Sequence, residues 1–547
     1  MRKITSSSTV GLLLAFTLLV SGAGRARAAI DATGAATLKK AVAEDMQWRV
    51  DMAKILGSGL TMAGKVSVVP KKSFYEVTLP HVAMLAGPKG LFYIGTVVLH
   101  AVPGDSAGSW KIDGALPPVM TFVTGKNKPL ARIKTGSQHF SATWLPGTEI
   151  YPDLAATFKN IKVSIYGKVP ADINIDAVQS RIALKEANDG KWNGDSDFKA
   201  SGITVRVPGE NPVTLTVGKA SDHAVYDGLD VQRATELRAA MQAALKNGLP
   251  QTAEEKQAFI TKFLIAPPVR ADGVDCDFTL DNLAAHDKGT AKDPAHSFSL
   301  RHLALTGSTQ DAQREKSRVR LTTAFSGLDG TFISPPFADI IPRDFSTDIT
   351  VDNLPLKAIT DMFFSAVQKF AAIPASDVAA RKLAAASLQA QELMVPGLME
   401  KAGTSLAVKD TYARSSGLYT RLAGDIYANP AAASGAVGKM TLSISGLDAL
   451  IQKMKKEALA PNADPRLLVY LGEMAGLQQK GVETKVDGKP ARAYVLELTQ
   501  GGSVLLNGKE IRKSPAEQAG MTEQAAPQAQ MQTAPQMSVP PKPAPAP

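Results

Sequence analysis

With Cys276 as its only cysteine, this chain of 547 residues cannot form an intramolecular disulfide framework. Its stability must therefore come from buried apolar area, and a chain of this length can supply two or three cores. Aromatic residues are 6% of the chain, too few for the aromatic girdles of a barrel built from many ten-residue membrane strands. No segment after the N-terminus approaches the roughly 18 uninterrupted apolar residues of a spanning helix, so the mature chain is expected to lack a transmembrane segment. Clustered cations interleaved with aromatics are also missing, which argues against nucleic acid as a partner.

What is present begins at the N-terminus. Arg2 and Lys3 precede the apolar run Val10–Val20, and Ala26-Arg27-Ala28 follows with the small-x-small pattern of a signal-peptidase site. The reading is a signal peptide over 1–28, cleaved on export to the periplasm, with release from the cell as a variant. No cysteine stands beside that site to carry a lipid. Taking the leader's four cations from the net charge of +10 leaves a mild +6 on the mature chain. At the other end, Lys513–Pro547 holds eight prolines with Ala, Gln and Met, the composition of a disordered, partly polyproline-like tail.

Between the ends, alternation of apolar and polar residues dominates. Ile161, Val163 and Ile165 alternate with Lys162 and Ser164; Ile203, Val205 and Val207 with Thr204 and Arg206; Val319 and Leu321 with Arg318 and Arg320. Such strands present one apolar and one polar face, the mark of an antiparallel sheet with one wet side. The pattern predicts an amphipathic helix over 29–56 carrying Leu38, Val42, Met46 and Val50, then a β-rich meander over 57–228. A mixed β/α region over 229–410 and an α+β segment over 411–512 follow. Further helices are expected over Ser376–Met394, stopping at Pro396-Gly397, and over Arg466–Lys480 after Asp464-Pro465.

One short pattern recurs. Asp277–Leu283 (DFTLDNL) returns as Asp348–Leu354 (DITVDNL), more loosely as Thr441–Leu447 (TLSISGL), and in part as Tyr226-Asp227-Gly228-Leu229. The leucines are 54, 71 and 93 residues apart, too irregular for a solenoid. Three of the four copies lead into helical patterns, with Asp230 or Asp448 as N-cap and Pro355 in a first turn. The fold class expected is α+β: predominantly antiparallel twisted sheets with several strand-to-helix units packed on one face. The Ser445–Leu450 corner and the closing Tyr494–Arg512 segment, with Leu506-Asn507-Gly508-Lys509, resemble the YdgA-like bacterial envelope proteins. That resemblance implies an envelope location and a β-rich fold, and supplies no catalytic residues.

The search for chemistry returns no convincing site. Cys276, His286, His296, His302, Asp287 and Asp293 lie near one another in sequence, but without metal-site spacing. Cys276 alternates with Val274, Phe278 and Leu280, as a small buried side chain on an apolar strand face would. Gly104–Gly108 fits the letters of a nucleophile elbow around Ser106, yet a second strand follows where a helix is required. Ser196 and Lys199 fit S-x-x-K without a helix to bring them together, and Gly435–Met440 lacks the spacing of a phosphate loop. Lys453, Lys455 and Lys456 read as complements to a helix dipole. Neither a cofactor nor a metal is expected. The leading functional reading is a non-enzymatic envelope protein that binds a lipid or other apolar ligand on a β surface. The alternatives are a scaffold docking an envelope protein through the Pro-rich tail, and a secreted hydrolase.

Overall fold

The computed structural model describes residues 30–512 apart from short stretches, the longest being 57–59, 86–89, 125–127, 264–269, 290–293, 334–336 and 374–376. The expected leader and tail lie outside the described residues. Strand accounts for 50% of the chain and helix for 26%, which makes the fold a β-rich α+β one. Within the described residues every strand pairing is antiparallel, and all strands join one hydrogen-bonded sheet.

Helix α1 (Ala32–Ile55) starts at Asp31, whose carboxylate accepts the Gly34 N–H at 2.7 Å. Its buried face carries Leu38, Val42, Met46 and Val50, as their spacing predicts. Nine strands follow: β1 (Leu60–Ala63), β2 (Ser67–Pro70), β3 (Tyr75–Leu85), β4 (Gly90–Pro103), β5 (Trp110–Ala115), β6 (Val119–Thr124), β7 (Pro129–Lys134), β8 (Ser137–Trp144) and β9 (Asp153–Ile165). They depart from the expected meander. One half of β4 pairs with β5 and the other with β6, while β9 divides in the same way between β8 and β7. Split pairing lets the sheet bend onto α1, and a closed core forms from Leu38, Tyr75, Val77, Val97, Trp144, Phe158 and Ile161 among others.

The long strands β10 (Ala171–Glu186), β11 (Lys191–Val207) and β12 (Val213–Asp230) continue the sheet in order. Asp230 caps α2 (Val231–Leu245) as expected, accepting the Arg233 N–H at 3.0 Å. Together with α3 (Ala253–Phe263), α2 packs Met241, Phe259 and Phe263 against Trp48 and Ile55 of α1. Next come β13 (Gly273–Asp287), β14 (Ser297–Gln310), β15 (Ser317–Ser326), β16 (Asp329–Gly330) and β17 (Asp344–Leu354). Helices α4 (Leu356–Ala371), α5 (Val378–Glu392) and α6 (Val395–Ala402) follow β17. The expected stop at Pro396-Gly397 is instead the first turn of α6, because proline's missing N–H costs nothing there. Pro355 likewise stands one position early, as the N-cap of α4.

Strands β18 (Ser405–Arg414), β19 (Tyr419–Ala428) and β20 (Ala436–Ser445) lead to α7 (Leu447–Ala458) and α8 (Arg466–Lys480). Asp448 lies in the first turn of α7, with Gly446 as the cap. Lys453 does more than face a dipole: it pairs with Asp339 and so ties α7 to the segment before β17. Strands β21 (Val482–Val486), β22 (Lys489–Leu498), β23 (Val504–Leu506) and β24 (Lys509–Arg512) close the sheet.

The recurring motif has one backbone meaning. Gly228, Asn282, Asn353 and Gly446, each directly before the motif leucine, all have positive φ, at 61°, 53°, 54° and 86°. Alternation would place Leu280 and Leu283 on opposite faces. The left-handed residue between them shifts the phase, so Leu280 pairs with Leu303 and Leu283 with Leu300 while the apolar face stays continuous. Asn160 does the same in β9, where Phe158 and Ile161 enter one core. These positions align across the sheet. A side chain at Gly202 would meet Asp176, one at Gly218 would meet Asn282, and one at Gly327 would meet Arg301. Asn282→Gly is therefore expected to leave stability near wild type, whereas Asn282→Val should lose about 1–2 kcal/mol, read from urea unfolding. Equal stability of the two variants would remove the conformational explanation of the motif.

Candidate functional site

Register across the middle of the sheet sorts side chains into two contrasting faces. On one, Phe198 of β11, Asp222 of β12, Phe278 of β13, Leu305 of β14 and Thr323 of β15 form a cross-strand row. Beside it run Ala224, Cys276, Gly307, Leu321, Ile349 and Val408. The same face continues through Leu406–Ile426 and Leu422–Leu442 to Met440–Leu496.

The opposite face is a charge ladder. Arg320 holds Asp348 in a two-point contact at 2.9 and 2.8 Å, and Arg318 reaches Asp352 at 3.3 Å. Arg181 contacts Asp195 and Asp197, and His302 meets Asp281 at 2.7 Å. The hydrogen bond from Arg320, outweighing burial, holds the Asp348 carboxyl below its ordinary range. These pairs are largely solvated, and they mark this side as the one facing water.

The apolar face is not sealed in the central strands. Leu321 is 50% exposed and Leu305 39%, although each lies in a strand paired on both sides. Among the described residues, no helix packs extensively on β13, β14 or β15. Among the described residues, closed cores form at the two ends of the sheet and around α1–α3. Ile161 and Val163 of β9, and Ile175, Val178 and Ile182 of β10, belong to or pack on the N-terminal closed core, so the open face begins beyond them.

Cys276 corrects one expectation. It lies on the apolar face, opposite Ala224 and Gly307, but it is exposed, and among the described residues no helix packs extensively over its strand. Its partly apolar surroundings, together with Asp222, Asp275 and Asp277, push its thiol pKa up, so at neutral pH it is a thiol and a poor nucleophile.

The other candidates do not converge. His296 bonds Asp287 at 3.2 Å, while His286 lies between Thr214 and Ser297 on the polar face, away from Cys276. Asp293 lies outside the described residues. Ser106 is in a hairpin between β4 and β5, where its carbonyl accepts from the Ser109 hydroxyl at 2.7 Å. Ser196 and Lys199 lie on opposite faces of β11, and Gly435–Met440 runs from a turn into β20. Sequence reasoning missed the cluster of Asp195, Asp197 and His223, whose ligand atoms lie within 4.8 Å of one another. Only the Asp-x-Asp spacing hinted at it, since His223 arrives through register with β12. Arg181 already contacts both carboxylates and Lys199 reaches Asp197 at 3.5 Å, which makes the cluster part of the charge ladder.

Fold and faces together define an amphipathic antiparallel sheet, closed at both ends and open in the middle. Set against known protein families, curated proteins and solved structures, the chain matches none. No helix among the described residues is long and apolar enough to cross a membrane.

Proposed function

We propose that this chain is an exported, non-enzymatic protein of the bacterial envelope, akin to the YdgA-like proteins, that holds a lipid or similar long apolar molecule on the open face of β11–β19, between the closed core that takes in β10 and the one that takes in β20. The observation that carries the reading is the exposure of Leu305 and Leu321 in doubly paired central strands, set against an opposite face that carries the Arg318–Asp352 and Arg320–Asp348 ion pairs. Contiguous apolar surface left open on a folded chain marks a binding surface. Eight adjacent strands, β11 to β15 and β17 to β19, at their usual spacing give this face a length of about 35 Å. An extended peptide laid there would leave its backbone N–H and C=O groups facing hydrocarbon, whereas acyl chains have no polar groups to satisfy. In this reading the helices that follow β12, β17 and β20 stand at strand ends and leave the sheet face to the ligand.

The test uses the only cysteine. Phospholipid vesicles are expected to slow maleimide labelling of Cys276, and organic extraction of periplasmic protein should release a lipid. Leu321→Asp should abolish the co-purifying lipid with an unchanged melt, because Leu321 is already half exposed. Val163→Asp, set against the closed core, should unfold the domain instead. Ligand-free wild-type protein whose Cys276 labels at the same rate with and without vesicles would overturn the reading.

A further inference from the structure

One charged group breaks the apolar face. Asp222 lies in register between Phe198 on β11 and Phe278 on β13, so an aromatic ring flanks it on each side in the cross-strand row. Its near neighbours on the face are Ala220, Ala224 and Cys276, and it is close enough to Cys276 for its charge to act on the thiol. Asp197 and Asp348 of the ladder pair with arginines and Asp281 with His302, but Asp222 has no hydrogen bond or ion pair among the described residues. Its side chain is exposed and open to a ligand from solution.

We propose that Asp222, with Phe198 and Phe278, is the head-group subsite of this face and takes the ammonium of an amine-bearing amphiphile. An ammonium offers N–H donors or a compact positive charge to the carboxylate. The two rings attract the same cation through their negative faces. An anionic phosphate head without an amine would meet like charge at this point and gain nothing from the rings. Acyl chains extending from here would run over Leu305 and Leu321 on one side or Leu215 and Val217 on the other. The proposal rests on the apolar-ligand reading and adds a polarity to it.

Native mass spectrometry after incubation with vesicles of equal parts phosphatidylethanolamine and phosphatidylglycerol, matched in acyl chains, tests it. Wild-type protein should carry the ethanolamine lipid in about fivefold excess. Asp222→Asn should bring the two lipids to parity while total lipid bound stays the same. Unchanged selectivity in Asp222→Asn, or no preference in wild type, would overturn the head-group assignment and leave the open face standing. Failure of wild-type protein to bind either lipid would overturn both, and is thereby distinguishable from failure of the subsite alone.

Discussion

Asp45→Ala is expected to destabilise the protein by about 3–5 kcal/mol. Asp45 is 2% exposed on α1 and accepts from Arg49 and from Arg238 of α2, each at 2.7 Å. Arg238 is itself 5% exposed and lies over the Trp48 ring at 5.3 Å. Removing the carboxylate leaves guanidinium charge inside the α1–α2 contact, where water cannot replace the lost partner. Burial alone would raise the Asp45 pKa, but the charges and hydrogen bonds of Arg49 and Arg238 outweigh it and hold the group below the ordinary carboxylate range. A depressed carboxyl lends stability that is present above its unfolded value, about 4, and is lost as pH falls through the lower folded value. Urea unfolding at pH 7 checks the magnitude. Repeating it toward pH 3 should show wild type losing part of its advantage over Asp45→Ala. A deficit under 1 kcal/mol at neutral pH would mean that the arginines find water.

Leu447→Ala is expected to cost about 2–5 kcal/mol and to loosen the C-terminal end first. Leu447 is 1% exposed and packs with Ile444, Ile451 and Tyr494 where β20 turns into α7. It reaches that position because Gly446 takes φ of 86°, with no room for a side chain beside the Gly417 carbonyl. The truncation removes buried methyl groups at a corner fixed by β20, β22 and α8, which cannot readily collapse around the cavity. The equivalent Leu354 is only half buried, so Leu354→Ala should cost measurably less. Hydrogen exchange after Leu447→Ala should rise first in 441–498, while 75–101 keeps its protection. A uniform rise across both segments would show that the two cores unfold as one unit.

Both sites show how far sequence reasoning reaches. The recurrence of a leucine after Asn or Gly pointed to a corner, and local backbone sterics explain why, since those residue types tolerate left-handed φ. Which of the four leucines is sealed could not be read, because burial depends on what packs over the corner. The Asp45–Arg238 pair joins residues 193 apart. No periodicity predicts such a contact, and a buried acid within an otherwise amphipathic helix looks like an ordinary polar position.

Cys276 and Asp222 make the same point for the candidate site. Alternation placed Cys276 on an apolar face, and register with Ala224 and Gly307 agrees, yet the side chain is exposed. The significance of Asp222 was invisible until pairing set it between Phe198 and Phe278, drawn from strands 191–207 and 273–287.

By itself, the sequence determined what depends on neighbours within a few residues. That includes the two-faced strands, the face of α1, the start and end of α8, the phase-shifting Asn and Gly residues, and the lack of a disulfide framework. These follow from periods of 2.0 and 3.6 residues and from backbone sterics, which act locally. Only the tertiary structure decided the rest. Split pairing of β4 and β9 closed a core around α1, register gathered Arg181 with Asp195, Asp197 and His223, and the central apolar face was left open. Each is a matter of which distant segment comes to lie beside or above another, and an alternating strand has the same pattern whether its apolar face is covered or bare.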